Sequence, residues 1–169
     1  MIILRNAVAA FLQNSGNFLL MKRAPEREIA PGLWSGVGGH MEPREINNPL
    51  AAVYREIEEE TGITRAEIPL LELRYIITRR IGNEIRQTYI YFGETTQTEV
   101  IQTREGELHW IKRGDLLKRE FSKTFTAMLE HYLATDKGEK GENAVYAGVA
   151  FGNNGKLQIN WVRCDDFEK

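Results

Sequence analysis

The chain has 169 residues, 42% of them hydrophobic, with 22 basic and 24 acidic side chains and a formal charge of −2. That length suits one domain with its own core, and the balanced charge argues against a basic face for a nucleic-acid polymer. The lone Cys164 excludes an internal disulfide and points to a reducing compartment, while the opening MIILRNAVAAFL is too short for a bilayer span and reads as no signal peptide, so a cytoplasmic protein without a membrane partner is expected.

In chain order, the apolar runs Ala7–Leu12 and Phe18–Met21 flank the turn cluster Asn14-Ser15-Gly16-Asn17 and read as a hairpin. Lys22–Pro31 is charged and breaks periodicity, as a loop does. Leu33–His40 holds three glycines and suits a short strand that meets a ligand through its backbone. Asn48-Pro49 makes a cap and a first helical position, and Gly62 a stop, so a helix is predicted over Pro49–Thr61. Leu70–Thr78 and Gln87–Phe92 are strand-like around an Ile81–Glu84 turn. Leu108–Ile111 is a further short strand. Gly114–Leu117 suits one helical turn. A second helix runs to about Leu133 from a cap at Ser122 or Thr124, with Phe125, Met128, Leu129 and Tyr132 on one face. Thr135–Asn143 reads as a polar linker. Beyond it, Ala144–Phe151 and Leu157–Val162 flank Gly152-Asn153-Asn154-Gly155, a hairpin signal. The chain therefore divides into a main domain over 1–134, a linker over 135–143 and a hairpin extension of the same domain over 144–169. Mixed strands with two helices imply an α/β (α+β) layered fold.

The run Arg55-Glu56-Ile57-Glu58-Glu59-Glu60 is the feature with chemical content. A helix C-terminus carries partial negative charge, and like charges one turn apart repel, so glutamates crowded there are disfavoured unless a cation offsets them. At about 100° per residue, Arg55, Glu59, Glu56 and Glu60 share an arc of roughly 140°. Leu50, Val53 and Ile57 form the apolar stripe beside it, and Glu58 points to solvent. Three carboxylates converging beside a buried face suit a hard cation that takes oxygen ligands. A solvated charge run is the bland alternative.

Gly39, five residues, Glu45, then Arg55-Glu56-Ile57-x-Glu59-Glu60-x-Gly62-Ile63 resembles the signature of the Nudix hydrolases. The interval from Glu45 to Arg55 is two residues longer than the family's usual one, and the extra pair fits before Pro49 without changing the helix register. The resemblance covers roughly Ala7–Leu133. It implies a mixed sheet sandwiched between helices, magnesium (with manganese as an alternative), and hydrolysis of a diphosphate linkage. By the same resemblance Glu56, Glu59, Glu60 and the Gly38 carbonyl would be metal ligands, with Glu56 alternatively the base for the attacking water. Glu45 and Arg55 would orient the ligating carboxylates. Glu105 or Glu107 would supply a further ligand or base, and Arg23 would point at substrate, as in MutT-like members.

The signature reads the diphosphate and not the group attached to it. Trp34, Tyr89, Tyr91, Trp110 and Phe121 are candidate platforms for a base, with Gly39 close to the substrate and Ser122, Lys123 and Thr124 near the base. The segment Glu105–Trp110 and the small size look more like MutT-type nucleoside triphosphatases. The expected reaction is a nucleoside triphosphate, an oxidised purine nucleotide among the candidates, cut to monophosphate and pyrophosphate. The alternatives are a pyrophosphatase of ADP-ribose, another dinucleotide or a nucleotide sugar, and a binding or regulatory module without turnover. A small-molecule nucleotide is the expected partner, with the chain a monomer or homodimer. An isoprenyl diphosphate isomerase would want a reactive cysteine near the cleft, and Cys164 lies in the tail.

Overall fold

A computed structural model describes residues 1–26, 30–135 and 144–165. Strand β1 (Ile3–Asn14) turns through Ser15 and Gly16, both at positive φ, into β2 (Asn17–Arg23). This is the backbone twist that joins a tight hairpin. The chain continues through β3 (Trp34–Ser35), helix α1 (Pro49–Thr61), β4 (Leu70–Ile81), β5 (Glu84–Glu94), β6 (Gly106–Lys112), helix α2 (Lys123–Thr135), β7 (Val145–Asn153) and β8 (Lys156–Cys164). Short 3-10 turns occupy Pro43–Glu45, Arg65–Glu67 and Arg113–Lys118.

The strands form one mixed sheet in the order β3-β2-β1-β5-β4-β7-β8, with β6 paired to β2. β1 runs parallel to β5 and β4 parallel to β7. β1 and β2 pair at their turn, from Leu12 opposite Leu19 to Asn14 opposite Asn17, and then part. The glycine-rich stretch fills the gap. Trp34 and Ser35 pair with Lys22 and Met21 of β2, while Val37 and His40 pair with Ala10 and Ala7 of β1. The strand expected over Leu33–His40 is thus a strip that changes partners midway.

The sheet is covered on both faces, so β1 is buried without a break from Val8 to Leu12. Its odd positions, Ala9 and Phe11, join Phe18, Tyr75, Ile90, Phe92, Met128 and Leu129 on the α2 face. Its even positions, Val8, Ala10 and Leu12, join Leu19, Val37, Val53, Ile57, Ile63 and Tyr91 on the α1 face. Alternation in the strands and a 3.6-residue period in the helices generate these two cores. Leu50, expected on the α1 stripe, is exposed, and Ala52 is buried with Val53 and Ile57.

β4 and β5 run longer than expected and leave Gly82 and Asn83 as the turn. Thr135 ends α2, and the remaining linker residues 136–143 lie outside the described residues, as do 166–169. The C-terminal hairpin is present as β7–β8 and joins the sheet beside β4. Its rings meet α2: Trp161 packs 5.1 Å from Tyr75 and 4.9 Å from His131, and Tyr146 lies 4.7 Å from His131. The Tyr75 hydroxyl and His131 Nδ1 are hydrogen-bonded at 2.9 Å. Among the described residues no helix is long and apolar enough to cross a membrane.

Candidate active site

Helix α1 starts at Asn48, whose side chain accepts the Ala51 N–H at 3.1 Å, and ends at Gly62 in the left-handed conformation. These caps fix the register that sends Arg55, Glu56, Glu59 and Glu60 towards the glycine-rich strip. Arg55 is the hub. Its Nε and Nη2 donate to the two oxygens of Glu45, each at 2.8 Å. Nη1 donates to Glu56 at 2.8 Å and to Glu59 at 3.1 Å, and Nη2 also reaches the His40 carbonyl at 3.2 Å. A planar guanidinium with a fixed fork of donors serves such an arrangement better than a lysine would.

The strip has two working edges. Val8 N–H donates to the Gly39 carbonyl and Ala10 N–H to the Val37 carbonyl, so those groups face β1. The alternate residues face α1: Gly38 N–H donates to Glu60 at 2.8 Å, and the His40 carbonyl takes Arg55. Gly38 sits at φ +150, and a Cβ there would strike the Val8 backbone. A Cβ on Gly39 would lie 2.7 Å from the Glu56 carboxylate. A side chain at Gly38 would push the strip off β1, and one at Gly39 would push the Glu56 carboxylate aside.

The electrostatics divide the carboxylates. The Arg55 guanidinium holds the Glu45 carboxyl down at about 2, and the partners of Arg55 raise its own pKa. Burial raises Glu56 above its ordinary value despite Arg55. Burial pushes Glu60 up to about 8, against the opposing Gly38 N–H and with help from the charges of Glu56 and Glu105. Glu59 stays 60% exposed at its side chain. Buried carboxylates whose charged form is disfavoured mark a place where a positive charge would be welcome.

These groups stand at one end of a cleft of about 1380 Å³. Arg23, Arg104 and Glu105 lie near them, and Trp34, Ser35 and Phe125 form another wall. Beyond these the cleft extends over Ala7, Thr88 and Ile77 to Arg5, Arg79 and Arg86. Ser35 is buried with its Oγ lacking a hydrogen-bond partner. His40 is held below its usual pKa, first by burial and then by the charges of Arg5 and Arg86.

A family model described as the NUDIX domain matches residues 3–145. The chain belongs to the Nudix hydrolase family. Named relatives and solved structures are similar to it along much of its length. A nucleoside triphosphatase NudI from Escherichia coli O1:K1 / APEC is 43% identical over 122 residues, covering 67% of this chain and 85% of that protein. The NudI of Enterobacter sp. (strain 638) is 45% identical over 58 residues, a match that spans only 40% of that protein's length. The crystal structure of a MutT protein from Bacillus halodurans superposes with a TM-score of 0.72 at 22% identity, covering 93% of this chain and 97% of that one.

Nudix enzymes generally use divalent cations, and the donor set here suits one chemically. Glu56, Glu59, Glu60 and the Gly38 carbonyl offer oxygen alone, and Glu60 is buried and Glu56 half-buried at an electrostatic cost that a cation would lift. Among the described residues no three acidic or imidazole side chains already stand as a ligating group. Arg55 occupies the acids instead, with one of its nitrogens holding both Glu56 and Glu59.

The Nudix residues expected from sequence divide accordingly. Glu45 and Arg55 meet in a two-pronged pair despite the longer interval between them. Arg23, Trp34, Gly38, Gly39 and Glu105 all line the cleft. The Ala24 N–H donates to the Glu105 carbonyl at 3.1 Å, tying that loop to the end of β2. Glu107 is exposed and hydrogen-bonds His109, which favours Glu105 of the two. Phe121 is not on the cleft wall: it is buried in the α2-side core, where the backbone bridge from Trp34 holds it, and Phe125 lines the cleft instead. Tyr89, Tyr91 and Trp110 belong to the α1-side core, across the sheet from the cleft floor. Arg5, Ser35, Arg79 and Arg86 carried no signal in the linear sequence, because strand pairing alone brings them together.

Proposed function

We propose that this Nudix protein is a magnesium-dependent diphosphohydrolase that cuts a nucleoside triphosphate into monophosphate and pyrophosphate, oxidised purine nucleotides among the candidates. The observation that carries the reading is the acidic end of the cleft: one buried, one half-buried and one exposed glutamate, an arginine hub and a backbone edge beside a chamber large enough for a nucleotide.

Glu56, Glu59, Glu60 and the Gly38 carbonyl would hold the cation, with manganese as an alternative. When bound it neutralises phosphate oxygens and lowers the pKa of water, the chemistry a polyanionic substrate needs. The remaining work belongs to the chain. Arg55, fixed by Glu45, keeps Glu56 and Glu59 oriented. Arg23 steadies the phosphates. Water attacks phosphorus, the bond to the bridging oxygen breaks, and Glu56, or Glu105 across the cleft, accepts the proton from the water. Trp34 and Phe125 wall the space for the base. Positioning and electrostatics supply most of the effect in phosphoryl transfer. A small nucleotide is the partner, and the hairpin over 144–169 is an extension of the same domain.

The test is turnover of a nucleotide panel with magnesium. Pyrophosphate release from a triphosphate supports the reading. AMP with ribose phosphate from ADP-ribose would replace it by the dinucleotide alternative. Nucleotide binding without turnover of any member would make the chain a binding module.

A further inference from the structure

On the α2 face of the sheet, three arginines from adjacent strands stand in one register row. Arg5 of β1 is the parallel partner of Arg86 of β5, and Arg86 is the antiparallel partner of Arg79 of β4. Direct partners share a face. Arg5 has the parity of Ala9 and Phe11, Arg86 that of Ile90 and Phe92, and Arg79 that of Tyr75 and Ile77, all members of the α2-side core. Like charges directly opposite one another in a sheet are destabilising. One carboxylate offsets this row: Glu84 pairs with Arg5 through one oxygen and with Arg86 through the other. Arg79 donates to the Thr124 hydroxyl at 3.1 Å and has no carboxylate partner among the described residues.

The row therefore keeps two positive charges beyond those Glu84 neutralises. It borders the same cleft that the acidic groups open into. Between the two ends, Ala7, Thr88 and Ile77 make the next register row inward, also on the cleft. Two of these side chains are small, so the floor leaves room for a sugar and a base. The acidic end already has Arg23, whose charge acts on Glu60, so the row on β1, β5 and β4 answers a different need.

We propose that Arg5, Arg79 and Arg86 form a second anion site, which seats a phosphate carried by the substrate on the side that is not cut. The proposal rests on the diphosphohydrolase reading and narrows its substrate to nucleotides bearing phosphate at both ends. A phosphate carries nearly two negative charges at neutral pH and several acceptor oxygens, which matches two unneutralised guanidinium charges better than a carboxylate does. The phosphate is carried by the ribose, as in a nucleoside 5′-triphosphate with a 3′-phosphate.

The experiment compares kcat/KM with magnesium for three substrates: a plain nucleoside 5′-triphosphate, its 3′-phosphorylated form and a dinucleoside tetraphosphate. The 3′-phosphorylated form should be preferred over the plain triphosphate by about tenfold, the value of one charge-assisted contact. A dinucleoside tetraphosphate preferred over both would overturn the ribose-phosphate assignment. Arg79→Gln and Arg86→Gln should each erase most of that preference, and Lys156→Gln on the distant hairpin should keep it. Measurable turnover with equal kcat/KM for all three, or a preference that survives both arginine substitutions, overturns the proposal. Titration of a nucleoside 3′-monophosphate in the absence of metal separates the two readings. Binding weakened by Arg79→Gln supports the anion site even if every substrate is inert, and no binding to the wild-type protein rejects it whatever the turnover.

Discussion

The acidic end of the cleft and the seam between α2 and the hairpin are built on opposite principles. Around Arg55 the contacts are ionic and directional, and Glu60 is buried and Glu56 half-buried although their charged forms are disfavoured there. Around His131 the contacts are ring on ring, among Tyr75, Tyr146 and Trp161, with one hydrogen bond at the centre. The first arrangement keeps electrostatic strain that a substrate-bound cation would relieve. The second is closed and asks for nothing further. Chemistry should thus be separable from stability: acids can change with little loss of fold, and rings can change with little loss of turnover.

The largest effect should come from Glu59→Gln or Glu60→Gln, which should lower kcat/KM by more than about a hundredfold, beyond the usual cost of disturbing a group that merely orients a ligand. Thermal unfolding of both should remain a single transition near the wild-type midpoint. A collapse in stability matching the loss of rate would erase the contrast. Arg55→Ala comes next, at about 10- to 100-fold in kcat/KM, because it frees Glu45, Glu56 and Glu59 together.

At the seam, Trp161→Ala should cost about 2–3 kcal/mol in denaturant unfolding, less than a fully buried tryptophan because the ring is partly exposed. Its kcat/KM should stay within about twofold. A large rate loss there would show that the hairpin supports the cleft.

The pH dependence sharpens the same contrast. In the fold Glu60 lies at about 8 against an ordinary 4.5. The folded state therefore binds this proton more tightly, and the associated stability is present below pH 4.5 and lost as pH rises through the folded value. The metal-free protein should melt at progressively lower temperature between about pH 5 and 8, and magnesium should flatten that decline. Glu45 has the opposite sign. Its folded value of about 2 means that its contribution is present above 4.5 and lost on acidification towards 2. The smallest effect belongs to Glu58→Gln, an exposed position, at about 0.5 kcal/mol or less and with unchanged turnover. A large change there would mean that the facing of α1 is wrong.

The linear pattern was most informative where chemistry is local. The 3.6-residue period placed Glu56, Glu59 and Glu60 on one side of α1 and Glu58 on the other. Leu50 misled because the first turn of α1 overhangs the core edge, where hydrophobicity alone does not tell a covered position from an open one. Phe121 and Phe125 are both aromatic and close in sequence, and the bridge from Trp34 decides which of them enters the core. The partner change along Trp34–His40 and the arginine row depend on which strands become neighbours. That is a property of long-range pairing and leaves no trace in residue spacing.

The strip between β1 and β2 has a mechanical consequence. One margin is stitched to a buried strand and the other grips the acids of α1. Any drift of Glu60 or Arg55 must therefore drag a sheet element with it. Tolerance at the reacting phosphorus is set by the stiffness of the β framework, although the residues concerned look, in isolation, like a pliable glycine loop.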